Sequence, residues 1–264
     1  MAEGVFLPDG SRFVATELAR GPWDPAAQHG GAPAALLVRA FERLELPAEQ
    51  ILARVTYEFL RPVVLGTLRV SAEVVRAGRR AALAEGSIYS DGGMEVVRAG
   101  GLYVHRTVVD ANATPGSIPG PDTALAHDLR ADAERATFTT DAIEIRFIAG
   151  KFWEPGPATA WFRLRVPLVA GEQLSPLQRL AAAADFGNGI SAVVSWQDHL
   201  FINPDLTLYI AREPDGEWIC LQAQTHVAAG GVGVAESVLY DQRGFVGRAT
   251  QALLVERVAR QPRP

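Results

Sequence analysis

The spacing of apolar residues changes period along the chain, and the change happens twice. Residues 29–44, HGGAPAALLVRAFERL, form a long apolar stretch that predicts a helix. Four runs follow it: VTYEFLRPVV, TLRVSAEVVR, AALAEGSIYS and EVVRAGGLYV. They are strand-like runs, rich in β-branched and aromatic residues and bounded by Gly, Pro and Asp. Further on, SPLQRLAAAADFG again reads as a helix, and TLYIAREP, EWICLQAQTHV, GVGVAESVLYD and FVGRATQALLVERV again read as strands. Between the two sets, residues 106–136 open with Pro, Gly, Asn and Asp and show no strand alternation, which predicts a linker. The expected division is 1–105, 106–136 and 137–264.

The two bodies match in residues as well as in element order. EGSIYSDGG at 85–93 parallels ESVLYDQRG at 236–244, with Glu85 against Glu236 and Tyr89 against Tyr240. VVRAGG at 96–101 parallels VGRATQ at 246–251 after a gap of one residue, and Arg61 corresponds to Arg212. A duplicated unit of helix followed by antiparallel meander predicts an α+β fold in two pseudo-symmetric halves.

Composition narrows the function. The 264 residues carry a net charge of −5, with 48% hydrophobic and 21% charged residues, an ordinary globular balance that argues against general nucleic-acid binding. Lys151 is the only lysine among otherwise arginine cations. Cys220 is the one cysteine, so neither a disulfide framework nor a thiolate metal cluster is expected within the chain. MAEGVFLPDG has no secretory pattern and no apolar run approaches a membrane span, which predicts a cytoplasmic protein. The five histidines show no zinc spacing, and no G-x-S-x-G, P-loop or dinucleotide fingerprint occurs. Neither metal nor cofactor is expected.

Two places hold candidate chemistry. In the second helix Ser175 is a candidate N-cap, Pro176 fits the first helical position and Gln178 would complete a capping box. The helix is expected to stop at Gly187-Asn188-Gly189, leaving Asp185 in its last turn. A carboxylate there faces the negative end of the dipole and continues the apolar stripe Leu177, Ala181, Asp185. Such an acid is either a local cap, for instance of Asn188, or a functional group with a perturbed pKa. At the first helix, Gly30 and Gly31 offer unobstructed backbone N–H groups, with His29 and Trp23 beside them. The plainer role for those glycines is packing.

The HGG-led helix, FLRP in the next strand, the duplicated body and the second helix ending in AxxxDF together resemble the acyl-CoA thioesterase II group of the thioesterase superfamily. The resemblance runs from about residue 10 to 257. It implies a double hot-dog: two long helices, each wrapped by a curved antiparallel sheet, the two sheets joined in one layer. It also implies that an aspartate, a hydroxyl or amide residue, and a glutamine position a water. These fall on Asp185, Asn203 and Gln251, with Asn203 standing where the family has threonine and Asp205 or Thr207 as alternatives. The implied activity is hydrolysis of a fatty or small acyl-CoA, with acyl-CoA the partner and a homo-oligomer possible. Thioester hydrolysis needs an activated water, a proton acceptor and oxyanion donors. Asp185 suits the acceptor, Asn203 and Gln251 the water, and Gly30 and Gly31 the oxyanion. Opposite Gln251 stands Gly101, and the first helix shows no acid opposite Asp185, so one site per chain is expected. A hot-dog enoyl-CoA hydratase or dehydratase, or a non-catalytic acyl-CoA binder, are the alternatives. Acyl pocket depth is expected to depend on Trp153, Trp161 and Phe186.

Overall fold

The structure is a computed structural model that describes residues 4–109, 116–126 and 136–258. In the first half, strands β1 (Phe6–Asp9) and β2 (Arg12–Ala15) precede helix α1 (Gly31–Phe41). Strands β3 (Gln50–Phe59), β4 (Thr67–Arg76), β5 (Ala81–Ser90) and β6 (Glu95–His105) follow. The second half holds β7 (Leu125–Ala126), β8 (Ile143–Ala149), β9 (Ala158–Leu164), α2 (Pro176–Ala184) and a short α3 (Gly187–Ile190). It ends with β10 (His199–Ile202), β11 (Asp205–Ile210), β12 (Ile219–Val227), β13 (Val232–Asp241) and β14 (Gly244–Arg257).

These strands make one antiparallel sheet in the order β1-β2-β4-β5-β6-β3-β11-β14-β13-β12-β9-β8-β7, with β10 also paired to β14. Apart from the added β7, the order reads as a palindrome about the β3–β11 seam. The register shows the same symmetry residue by residue. One row across the sheet runs Glu73, Glu85, Gly100, Thr56, Thr207, Thr250, Glu236, Gln224. The pseudo-twofold axis passes between Thr56 and Thr207, whose hydroxyls lie 3.3 Å apart. The β5–β6 ladder slips at Ile88/Tyr89 and the β13–β14 ladder at the matching Leu239/Tyr240. Because both halves share the bulge, the one-residue gap in the sequence repeat falls in the hairpin turns: residues 91–93 separate the paired Ser90 and Met94, whereas only 242–243 separate the paired Asp241 and Gly244.

The sheet wraps the two helices. α1 is buried at every position but Ala40, consistent with a helix that is apolar all round. Fully buried Leu36 and Leu37 each contribute about 1.5–3 kcal/mol of transfer free energy. The one charge within α1, Arg39, reaches out to a bidentate pair with Glu172 of the second half (2.6 and 2.5 Å). The helices lie head to tail. Gly31 at the start of α1 touches Ala182 near the end of α2, and Glu42 just after α1 accepts from Gln178 Nε2 of α2 at 2.7 Å. The Gln178 side chain therefore does not close a capping box. Ser175 alone caps α2, its Oγ accepting from Gln178 N–H at 3.1 Å.

Residues 116–126 pack on the second half: Trp161 Nε1 donates to Pro119 O (2.8 Å), and β7 pairs with β8. The rest of the expected linker at 110–115 and 127–135 lies outside the described residues. Among the described residues no helix is long and apolar enough to cross a membrane.

Candidate active site

Helix α2 ends one residue earlier than its pattern suggests. Asp185 is its C-cap, still in helical conformation (φ −74°, ψ −7°), and Gly187-Asn188-Gly189 open the short α3 instead of a loop. The direction change at Asp185 turns its carboxylate away from the α2 axis toward the N-terminus of α1. There it is 6% exposed and held from three sides. Asn203 Nδ2 donates to Oδ1 at 2.8 Å and Gln251 Nε2 to the same oxygen at 3.1 Å. Oδ2 lies 3.1 Å from His29 Nδ1. The three candidate residues thus meet directly, carboxylate to amides, without a gap between them.

The alternatives to Asn203 are engaged elsewhere. The Asp205 carboxylate accepts from Ala252 N–H at 2.6 Å, and Thr207 bonds across the pseudo-axis. Asn203 is placed by its second amide hydrogen, which goes to Asp205 O at 3.0 Å. Gln251 spans the site: its Oε1 accepts from Asn188 N–H at 3.1 Å. Asn188 Nδ2 approaches Asn203 Oδ1 at 3.4 Å, which makes Asn188 a fourth amide in the cluster. The sequence marks Asn188 only as a local partner for Asp185. Its signal was its place in the first turn of α3, one residue beyond an apparent stop.

Electrostatics follow from burial. Removal from water pushes the Asp185 carboxyl up from 3.8 to about 7, against the opposing pull of hydrogen bonds from Asn203, Gly31 and Gln251. The same desolvation lowers His29 from 6.5 to about 3, so its imidazole is neutral across the working pH range. His29 is stacked on Phe186 with centroids 4.3 Å apart and flanked by Phe138 at 5.1 Å. His29 Nδ1 accepts from Gly31 N–H at 3.1 Å, so its 3.1 Å contact with Asp185 Oδ2 carries a hydrogen bond when the carboxyl is protonated and Oδ2–H donates.

The glycine pair divides in role. Gly31 N–H is directed at His29 Nδ1 (3.1 Å) and supports the Asp185 carboxylate, so it does not face open space as the sequence suggested. Gly30 N–H has no acceptor among the described residues. Gly30, His29, Asp185, Asn188 and Asn203 line one wall of a cavity of about 690 Å³. Its other walls are largely aromatic. Trp23 stacks on Trp196 (4.8 Å, 11°), and Trp153 meets Trp196 edge-on at 4.9 Å. Trp153 and Phe186 line the cavity, whereas Trp161 lies in a separate cluster with Trp218 and Cys220.

The register identifies the counterpart of this site in the first half. Leu52 replaces Asn203 and Gly101 replaces Gln251, as the matched ladders require. The expectation that no acid stands opposite Asp185 is corrected: Glu42 is the C-cap of α1, as Asp185 is of α2. It borders a smaller cavity of about 340 Å³ with Leu52 and Tyr103. Its partner is Gln178, and without the two clamping amides the carboxylate is not aimed. Glu42→Gln is expected to leave kcat for thioester substrates at the wild-type value, measured by thiol release.

The palindromic sheet around two antiparallel helices is a double hot-dog. The chain belongs to the acyl-CoA thioesterase family. The family's N-terminal domain model matches residues 19–104 and its C-terminal domain model residues 121–255. No curated protein sequence matches the chain significantly. Among solved structures it is similar to a protein from Novosphingobium aromaticivorans DSM 12444 with a provisional thioesterase assignment (25% identity, TM-score 0.72, 96% of this chain and 99% of that chain). It is also similar to a hot-dog protein of unknown function from Alicyclobacillus acidocaldarius (17%, 0.70, 97% and 96%). A third is acyl-CoA thioesterase II TesB2 from Mycobacterium marinum (16%, 0.64, 96% and 95%). The family places the present chain in the enzymatic class of thioester hydrolases.

Proposed function

We propose that the chain hydrolyses fatty or small acyl-CoA thioesters of lipid metabolism, with Asp185 as general base and no covalent intermediate. The observation that carries this is the pairing of a clamped, buried carboxylate with a free helix N-terminal amide on one wall of an apolar cavity. The Asn203 and Gln251 amides hold Oδ1, leaving Oδ2 beside Gly30 as the proton acceptor. A water hydrogen-bonded to Asp185 attacks the thioester carbonyl and passes its proton to the carboxylate. The carbonyl oxygen, now an oxyanion, takes the Gly30 N–H at the positive end of α1. Collapse breaks the C–S bond, and the CoA thiolate leaves with the proton from Asp185. Gln251 and Asn203 act on the carboxylate as positioning residues, Asn188 holds those two amides, and the Oδ2–H of the protonated intermediate can rest against His29 Nδ1. Trp23 lines the acyl or pantetheine path. The halves divide at 106–136, with the working site drawn from both.

A panel of acyl-CoAs assayed for free thiol tests the activity; an inactive protein that still binds acyl-CoA would establish a binder instead. The pH profile tests the base. Asp185 works ionised, and its carboxyl is raised to about 7. Log kcat/KM is therefore expected to rise with unit slope below pH 7, reach half-maximum near it and level off above. An ordinary carboxylate would keep the rate flat down to about pH 5.

A further inference from the structure

Arg61 lies in the FLRP stretch just after β3 and lines the cavity while remaining exposed. Its backbone is fixed, with its N–H donating to Val96 O at 3.3 Å. Its guanidinium has no hydrogen bond or ion pair among the described residues. Apart from neutral His29, it is the one basic side chain on the cavity wall.

The pseudo-symmetry supplies a control within the molecule. The counterpart of Arg61 is Arg212, which sits on a bidentate pair with buried Asp241 (2.5 and 2.6 Å) and donates a third bond to Gly244 O at 3.1 Å. The register puts Ser90 in the first half where Asp241 stands in the second. The same arginine is stapled to its own half in one place and released in the other, and the released copy faces the cavity. Asp24, the other charged residue near this rim, is turned to cap Ala26 N–H at 2.8 Å. A guanidinium fork with its donors free matches a phosphate bidentately.

We propose that Arg61 anchors a phosphate of the CoA moiety and makes the site select thioesters carried on CoA over the same acyl group on a short neutral thiol. This rests on the acyl-CoA reading. With the carbonyl at Gly30, the pantetheine runs outward along the cavity and its phosphates reach the exposed rim.

The test compares one acyl group on CoA and on N-acetylcysteamine, which lacks phosphates. Arg61→Ala is expected to lower the ratio of kcat/KM, CoA over N-acetylcysteamine, about tenfold, chiefly through KM, with Arg61→Lys intermediate. Ser90→Asp, which rebuilds the clamp of the second half, is expected to lower the ratio in the same direction with Arg61 still present. An unchanged ratio in Arg61→Ala, or an equal fall on both substrates, overturns the proposal. Calorimetric binding of free CoA, with pantetheine as control, separates this from the activity itself. If the wild type hydrolyses neither substrate, a tenfold weaker CoA affinity in Arg61→Ala still supports the anchor, and an equal affinity overturns it.

Discussion

Asp185→Asn is expected to lower kcat by at least about two orders of magnitude, the loss that follows removal of a positioned general base. The change is nearly isosteric. The asparagine oxygen still accepts from Asn203 and Gln251, and its Nδ2 turns toward His29 Nδ1, 3.1 Å from Oδ2 in the wild type. Shape and acyl-CoA binding are therefore retained, and only the proton acceptor is lost. Gln251→Ala is expected to cost less, because that side chain orients the carboxylate and takes no proton. Equal turnover by wild type and Asp185→Asn would end the mechanism.

The same substitution is expected to stabilise the fold at alkaline pH. The folded carboxyl is raised above its unfolded value, so its favourable contribution is present below pH 4 and lost as pH rises through about 7. Ionised and 6% exposed above that pH, Asp185 burdens the native state. His29 runs the other way: lowered to about 3, it costs stability as pH falls below 6.5. Asparagine removes only the first burden. Thermal unfolding should show a higher Tm than wild type at pH 8, by several degrees for a gain on the order of 1–2 kcal/mol. The gap should close toward pH 5. A Tm difference independent of pH would contradict the burial assigned to this carboxylate.

What the sequence disclosed depended on whether a signal was local. β4, β5 and β6 fall on their alternating runs, and Glu85/Glu236 lie in one row across the sheet, because a strand with one buried face writes its period into the chain. β1, β2, β8 and β9 are not legible in the sequence, lying toward the two ends of the sheet where their burial depends on partners distant in sequence. Asp185 stood out as an acid on an apolar stripe, and its contacts with Asn203 and Gln251 follow from β14 and the β10–β11 break converging on α2. Glu42 is hidden when the two helices are aligned from their N-termini, because the symmetry matches their C-caps and α1 has eleven residues where α2 has nine. The fate of the two glycine amides was not legible at all, since it depends on how closely α1 and α2 cross.

That crossing gives the two glycines opposite expected phenotypes. Gly30 has helical dihedrals (φ −59°, ψ −24°) that alanine adopts freely, so the backbone tolerates Gly30→Ala. Its new methyl would stand 2.7 Å from Asp185 Oδ2 and 3.1 Å from Cγ. The carboxylate must then leave its two amides, and the approach to the Gly30 N–H narrows. A misplacement of this size at the reacting centre is expected to lower kcat about 10²-fold in a protein that still folds. Gly31→Ala instead drives its methyl into the Ala182 carbonyl, where two helix backbones meet and neither side chain can yield. It is expected to lose about 1–3 kcal/mol of stability from overpacking. Urea unfolding alongside thiol-release kinetics separates the cases. Gly30→Ala should keep its unfolding midpoint and lose turnover, while Gly31→Ala should shift the midpoint first. Wild-type kcat in a folded Gly30→Ala would mean that the Asp185 carboxylate has another productive position, and the placement of base and oxyanion donor at the start of α1 would fall with it.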